Sequence, residues 1–159
     1  MLGVKLITLG TLKESYWREA AAEYEKRLGA FCRLEIVQLK EERLAENPTD
    51  GEIRTALEKE AAQILRQIPP KAYRIALCVE GKQLSSEELS VRLAQIAETH
   101  GEVCLIIGSS FGLADSVKEA CDLRLSVSRL TFPHQLMRVL LLETVYRSFQ
   151  IQKGTRYHK

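Results

Sequence analysis

The sequence has little of what marks membrane, disulfide-rich or metal-binding proteins. It contains no run of eighteen apolar residues, so no segment is long enough to cross a bilayer as a helix. The opening residues are also too polar for a secretory signal, and we expect a cytoplasmic protein. The few cysteines lie far apart with no C-x-x-C pair, which disfavours a metal site or a disulfide and favours reduced packing residues. They are Cys32, Cys78, Cys104 and Cys121.

A strong excess of one charge is missing as well. The net charge is only +2, but its distribution is uneven. Residues 126–159 hold six Lys or Arg against one acidic residue, a net charge of +5, and the rest of the chain is at −3. A basic end on a slightly acidic body suits an anionic partner such as RNA, although a solvated helix face would give the same count.

Apolar, β-branched runs alternate with helical patterns along all 159 residues, which predicts one α/β domain with a parallel sheet and helices on both faces. The predicted strands are Val4–Leu9, Leu34–Leu39, Tyr73–Val79, Val103–Ile107 and Leu123–Val127. The predicted helices are Glu14–Leu28, Gly51–Ile68, Ser86–Thr99, Ala114–Ala120 and Pro133–Gln150. Capping boxes are expected at Thr49 and Ser85, and a left-handed Gly29 is expected to end the first helix.

The last predicted helix is apolar around nearly its whole circumference. A helix that covers one sheet face needs a single apolar stripe, so this one needs a second surface to cover it. That surface is either the interior of its own chain or a second copy of the protein. With only five strands to cover the helix, a homodimer is favoured.

Three segments offer positions for chemistry. Gly108 and Gly112 flank a turn between a strand and a helix, a frequent ligand position, although a plain tight turn would explain them as well. The turn matches neither a Walker loop nor a dinucleotide fingerprint. Arg129 and His134 flank the loop before the last helix, and His134 also fits a merely polar first helical turn. The tail after Gly154 combines cations, a phenol and an imidazole, but tails are often disordered.

Taken together, these segments resemble the SPOUT-class large-subunit rRNA methyltransferase H family over essentially the whole chain. The matching pieces are LITLGTLKESYWREAAAEYEKRLG, VEGKQLSSEE, IIGSSFGL, LSVSRLTFPHQLMRVLLLETVYRSF and the terminal YHK. SRLTFPHQLMRVLLLE and YHK are the most specific. One departure is Ser109, which stands where the family commonly has a second glycine.

The resemblance implies a SPOUT fold with a deep trefoil knot in about residues 73–159, and a homodimer formed through that half. It implies S-adenosylmethionine (SAM) as cofactor, with no metal, bound by backbone groups of the knot loops. The cofactor residues carried over are Leu77, Gly108, Val127, Ser128, Arg129, Leu130, Thr131 and Phe132.

The implied reaction is methylation of ring nitrogen 3 of a pseudouridine in 23S rRNA. Because the basic charge is modest, we expect the substrate to be the assembled ribosome, whose shape would supply further contacts. Because that nitrogen carries a proton at neutral pH, a placed base is needed, and Tyr157 and His158 are the candidate catalytic residues. The implied RNA contacts are Arg129, His134, Arg156 and Lys159.

Three other interpretations stay open. The same scaffold could be a non-catalytic ribosome-assembly factor that has lost cofactor binding. A small nucleotide- or flavin-binding protein could use the Gly108–Gly112 turn for phosphate. Methylation of another RNA, such as transfer RNA, would use the same chemistry.

Overall fold

The computed structural model describes residues 1–159, which form five strands and five helices in strict alternation. The strands are β1 (Gly3–Leu9), β2 (Arg33–Leu39), β3 (Tyr73–Gln83), β4 (Glu102–Ile107) and β5 (Leu123–Ser126). The helices are α1 (Ser15–Leu28), α2 (Asp50–Gln67), α3 (Ser86–Thr99), α4 (Asp115–Glu119) and α5 (His134–Gln152).

All five strands belong to one parallel sheet in the order β2-β1-β4-β3-β5. Successive side chains of a strand point to opposite faces, and the core is divided accordingly. Leu6 and Leu105 pack with α1, α3 and α5 on one face, whereas Ile7 and Ile106 pack with α2 and α4 on the other. The predicted parallel α/β sheet with helices on both faces is therefore confirmed. All five strands end at one edge, where the loops that follow them meet.

Nine predicted elements agree with the structure to within two residues, and β3 is the exception. It runs four residues beyond Val79, because the chain leaves its register with β5 after Leu77 and rejoins it at Lys82. Leu125 is opposite both of these residues. A Cβ on Gly81 would lie 2.7 Å from the Arg124 carbonyl oxygen, so glycine allows this close crossing.

The capping predictions had mixed outcomes. Ser85 forms a full capping box with Glu88. At Thr49 the hydroxyl accepts a hydrogen bond from the Glu52 amide, but the Glu52 side chain does not bond back to the Thr49 amide, so the capping box is incomplete. Helix α1 ends before Gly29 as predicted, but the left-handed conformation predicted for Gly29 is wrong, since its φ of −56° is helical. The amides of Phe31 and Cys32 instead bond back to the Leu28 carbonyl, a closure that needs no left-handed residue.

Helix α5 packs against α1 and α3 over the sheet. None of its residues from 134 to 151 is fully exposed, although Leu136, Val139 and Leu140 are only half-buried. No helix in the protein combines the length and apolar character of a membrane span.

Candidate active site at the carboxyl edge of the sheet

A cavity of about 360 Å³ opens where β3, β4 and β5 end. This volume falls within the range of roughly 300–1,000 Å³ found for small-molecule sites. Seven of the eight residues proposed for the cofactor line it, and the exception is Arg129, whose side chain is exposed outside the cavity. The seven are Leu77, Gly108, Val127, Ser128, Leu130, Thr131 and Phe132. Three chain segments distant in sequence thus form one concave surface.

The turn at residues 108–112 is closed by its own backbone. The Gly112 amide donates to the Ser109 carbonyl at 2.8 Å, and Gly112 has a φ of +89°. A Cβ on Gly108 would lie 2.6 Å from the Gly112 carbonyl carbon. Gly108 is therefore required by the turn itself, a tighter constraint than the approach to a ligand that the sequence indicated.

Ser109 does not obstruct the cavity, because its hydroxyl is engaged elsewhere. It donates to the Glu60 carboxylate of α2 at 3.0 Å, and the second oxygen of Glu60 accepts the Glu42 amide at 2.9 Å. Glu60 is only 2% exposed, and this burial raises the pKa of its carboxyl group against the opposing effect of the two hydrogen bonds. No pattern in the sequence indicated this buried acid.

The loop after β5 is held by short polar contacts. Ser126 donates its hydroxyl to the Ser128 carbonyl at 2.9 Å, and the Leu130 amide donates to the Ser128 hydroxyl at 3.0 Å. Leu130 and Phe111 remain 71% and 48% exposed at the rim. The cavity therefore has a polar, locally braced wall and an apolar mouth.

A second, larger cavity of about 890 Å³ lies beside the first, where β1 and β2 end. The two share the residues Ser109, Ser110, Phe111 and His134. The His134 Nδ1 atom lies 3.5 Å from the Ser110 hydroxyl on this shared wall. The outer wall is the segment 40–46, which carries both signs of charge. Sequence reasoning missed this cavity, and its one signal was the long charged connection between β2 and α2.

Arg138 lies beneath this second cavity with no carboxylate partner. It is 5% exposed and donates to the Gln38 side-chain oxygen at 2.8 Å and to the Gly10 carbonyl at 3.1 Å. Its Nε atom has no hydrogen-bond partner, and burial lowers the pKa of the guanidinium. Arg138 thus fastens α5 to the ends of β1 and β2.

The tail residues proposed for catalysis lie elsewhere. The Tyr157 hydroxyl donates to Glu143 at 3.1 Å, and His158 has Glu87 2.7 Å from Nε2 and Arg147 3.2 Å from Nδ1. Burial and Glu143 raise the pKa of Tyr157 to about 12.

Neither tail residue lines either cavity of its own chain. At 1.5 Å per residue, Glu143 and Arg147 are about 14–20 Å along α5 from His134. Of the proposed RNA contacts, Arg129, Arg156 and Lys159 are exposed, and His134 is half-buried between the cavities. No three His, Cys, Asp or Glu side chains come together as metal ligands.

The family profile described as "Predicted SPOUT methyltransferase" matches residues 2–158. The chain therefore belongs to the SPOUT methyltransferase family. Among its relatives, a protein of Bacillus pumilus is 44% identical over 99% of this chain and 100% of its own length. One of Bifidobacterium adolescentis is 46% identical over 98% and 99%, and one of Streptococcus suis is 44% identical over 98% and 99%. Each is named ribosomal RNA large subunit methyltransferase H.

Solved structures share the fold at low sequence identity. A methylase family protein from Neisseria gonorrhoeae matches with a TM-score of 0.53 and 16% identity over 99% of this chain and 87% of its own. A methyltransferase from Legionella pneumophila, solved with bound SAM, matches with a TM-score of 0.51 and 18% identity over 93% and 66%. At such identities the likeness supports the common fold.

Proposed function

We propose that this protein transfers a methyl group from SAM to nitrogen 3 of a pseudouridine in 23S rRNA. The observation that carries the proposal is the cavity formed by seven of the eight residues expected to hold the cofactor. The full-length relatives named for methylation of large-subunit rRNA support the substrate.

The residues of the cavity suit SAM. Apolar side chains such as Leu77, Leu125 and Met137 alternate there with the polar backbone of the turn and of the loop after β5. SAM supplies a methyl group on a sulfonium, which is already electrophilic, so the chain's own task is to bind, orient and deprotonate. The two loops would hold the cofactor, and the shared wall at His134 would face the target.

Proton removal from the target nitrogen is assigned to the tail. With a pKa near 12, Tyr157 keeps its proton at neutral pH and is suited to donate a hydrogen bond, which leaves His158 as the base. A placed base contributes about 10²–10⁴-fold. Since the tail rests against its own α5, we propose that it serves the cavity of a second copy.

The homodimer in this proposal uses α5. Val139 and Leu140 follow Leu136 by three and four residues on one side of the helix, and all three are left half-buried. We also propose that residues 1–159 are one domain with a trefoil knot in about residues 73–159. Membership of the SPOUT family supports such threading.

RNA binding is assigned to Arg129, Arg156, Lys159 and His134. The net charge of +5 in residues 126–159 gives a modest, salt-sensitive attraction to phosphate. We therefore propose that the substrate is the assembled ribosome in the cytoplasm, whose shape adds the remaining contacts. Equal rates on free 23S rRNA and on ribosomes would contradict this part.

The test is transfer of radiolabelled methyl from SAM to ribosomes that lack the modification, followed by mapping of the labelled nucleotide. We expect label on one pseudouridine of the large subunit. Label on transfer RNA alone would show that the substrate is transfer RNA, while the proposed methyl transfer from SAM would stand. Absence of both transfer and SAM binding would instead support the assembly-factor interpretation.

A further inference from the structure

Glu60 is a buried titratable group that the proposed reaction does not use. Its side chain lies on α2, it does not itself line the cofactor cavity, and no Lys, Arg or His pairs with it. The charged neighbours Glu41 and Glu42 are both acidic and repel it. Burying a carboxylate without a cation destabilises the fold, and an apolar residue at this position would cover the sheet without that desolvation penalty.

The two hydrogen bonds of Glu60 reach two different cavities. One oxygen accepts the Ser109 hydroxyl of the turn that walls the cofactor cavity, at 3.0 Å. The other accepts the Glu42 amide in the outer wall of the second cavity, at 2.9 Å. One carboxylate thus joins two walls that are distant in sequence.

The second wall depends strongly on this contact. Residues 40–49 separate β2 from α2 without regular structure. Within 40–46, the Glu42 amide is the one group that makes a hydrogen bond. A segment with a single anchor moves when that anchor moves.

We propose that Glu60 is a positioning residue that couples the cofactor turn to the wall of the second cavity. We also propose that this cavity receives the target nucleotide, because it measures about 890 Å³ and shares Ser110 and His134 with the cofactor cavity. The inference rests on the proposed methyl transfer. A displacement of about 1 Å between donor and acceptor can cost 10²-fold in rate, so a link between the two walls would act on turnover. In this chain the link includes Ser109, the residue that departs from the family pattern.

Hydrogen exchange tests the coupling without any measurement of activity. In the wild type, saturating SAM is expected to slow hydrogen exchange of the peptide that covers residues 40–46. In Glu60→Ala, SAM should not change the exchange rate of this peptide. Glu60→Gln keeps an acceptor for the Glu42 amide and should respond like the wild type. Glu58→Ala, an exposed acid on the same helix, is the matched control. An equal response of this peptide in Glu60→Ala and wild type would overturn the proposal, as would no response in the wild type when SAM binds.

Single-turnover methylation of ribosomes then separates positioning from cofactor binding. Glu60→Ala should lower the rate at saturating SAM by about tenfold or more while the Kd for SAM changes less than threefold. Ser109→Ala removes one hydroxyl and should lower the rate less, with no further loss in the Glu60→Ala background.

Should Glu60→Ala fail to fold, the milder Ser109→Ala decides the matter by the same comparison of rate with Kd. An unchanged rate, or a weaker Kd with full rate at saturation, would overturn the coupling. Failure of the wild type to methylate any RNA would instead refute the proposed function, and the exchange experiment would still decide the coupling.

Discussion

The proposed cofactor cavity and the C-terminal tail differ in how they are built. The cavity is held by contacts within short loops, such as the Gly112 amide on the Ser109 carbonyl. The tail instead depends on side chains of other elements, with Tyr157 on Glu143 and His158 on Glu87. The proposed cofactor cavity is therefore complete within one chain, whereas the proposed acid–base pair lies outside it. Binding and turnover should accordingly be separable by mutation.

The largest effect is expected from His158→Ala. Loss of the base should lower the single-turnover methylation rate by about 10²–10⁴-fold, while the Kd for SAM stays unchanged because the cavity is intact. Rapid-quench kinetics and calorimetry measure the two quantities. His100→Ala, at the far end of α3, is the control. If His158→Ala also weakened SAM binding, His158 would belong to the cofactor site, and binding and turnover would not be separable.

The reciprocal change is Gly108→Ala. The added methyl group would collide with the Gly112 carbonyl and force the turn open, at a cost of about 1–3 kcal/mol. We expect the Kd for SAM to rise by about 10- to 100-fold. Gly51→Ala, in the open first turn of α2, should bind SAM normally. Normal binding by Gly108→Ala would show that the cofactor does not use this turn.

A smaller effect is expected at Glu87, where the tail is docked by an exposed contact. Exposed pairs of this kind contribute little, so Glu87→Ala should raise the initial rate of carboxypeptidase release of the last residues about two- to fivefold. Glu98→Ala on the same helix is the control. No change would mean that Arg147 and Glu143 hold the tail without Glu87.

Alkylation of Cys78 reports directly on the cavity. Burial raises the pKa of this thiol, so its reaction with iodoacetamide should keep accelerating as the pH rises past 9. Bound SAM should slow the reaction several-fold, because Cys78 lines the cavity. Cys32, Cys104 and Cys121 have thiol pKa values raised to about 11, 12 and 11, and they serve as slow internal references in peptide mapping. If SAM did not change the labelling of Cys78, the cofactor would bind outside this cavity.

Much of the fold could be predicted because its signals are local. Periodicity and caps located nine elements, but the extension of β3 depends on Gly81 meeting β5, a contact between distant segments. The same division holds at the site. The residues of the turn and loop were recognised by their motifs, whereas Glu60 was not singled out and Arg138 counted only toward the positive charge of residues 126–159. Their burial is decided by tertiary packing, which no short pattern records.

Through Arg138, helix α5 connects the two cavities to the surface proposed for the dimer contact. The helix begins at His134 between the cavities, is fastened by Arg138 to the ends of two strands, and carries the face proposed for dimer contact. The same helix, α5, would then take part in both dimer formation and catalysis. If the proposed dimer forms through this face, activity would depend on protein concentration, and dilution below the dimer dissociation constant should abolish turnover in a protein that is still folded. Specific activity measured across a dilution series would reveal it.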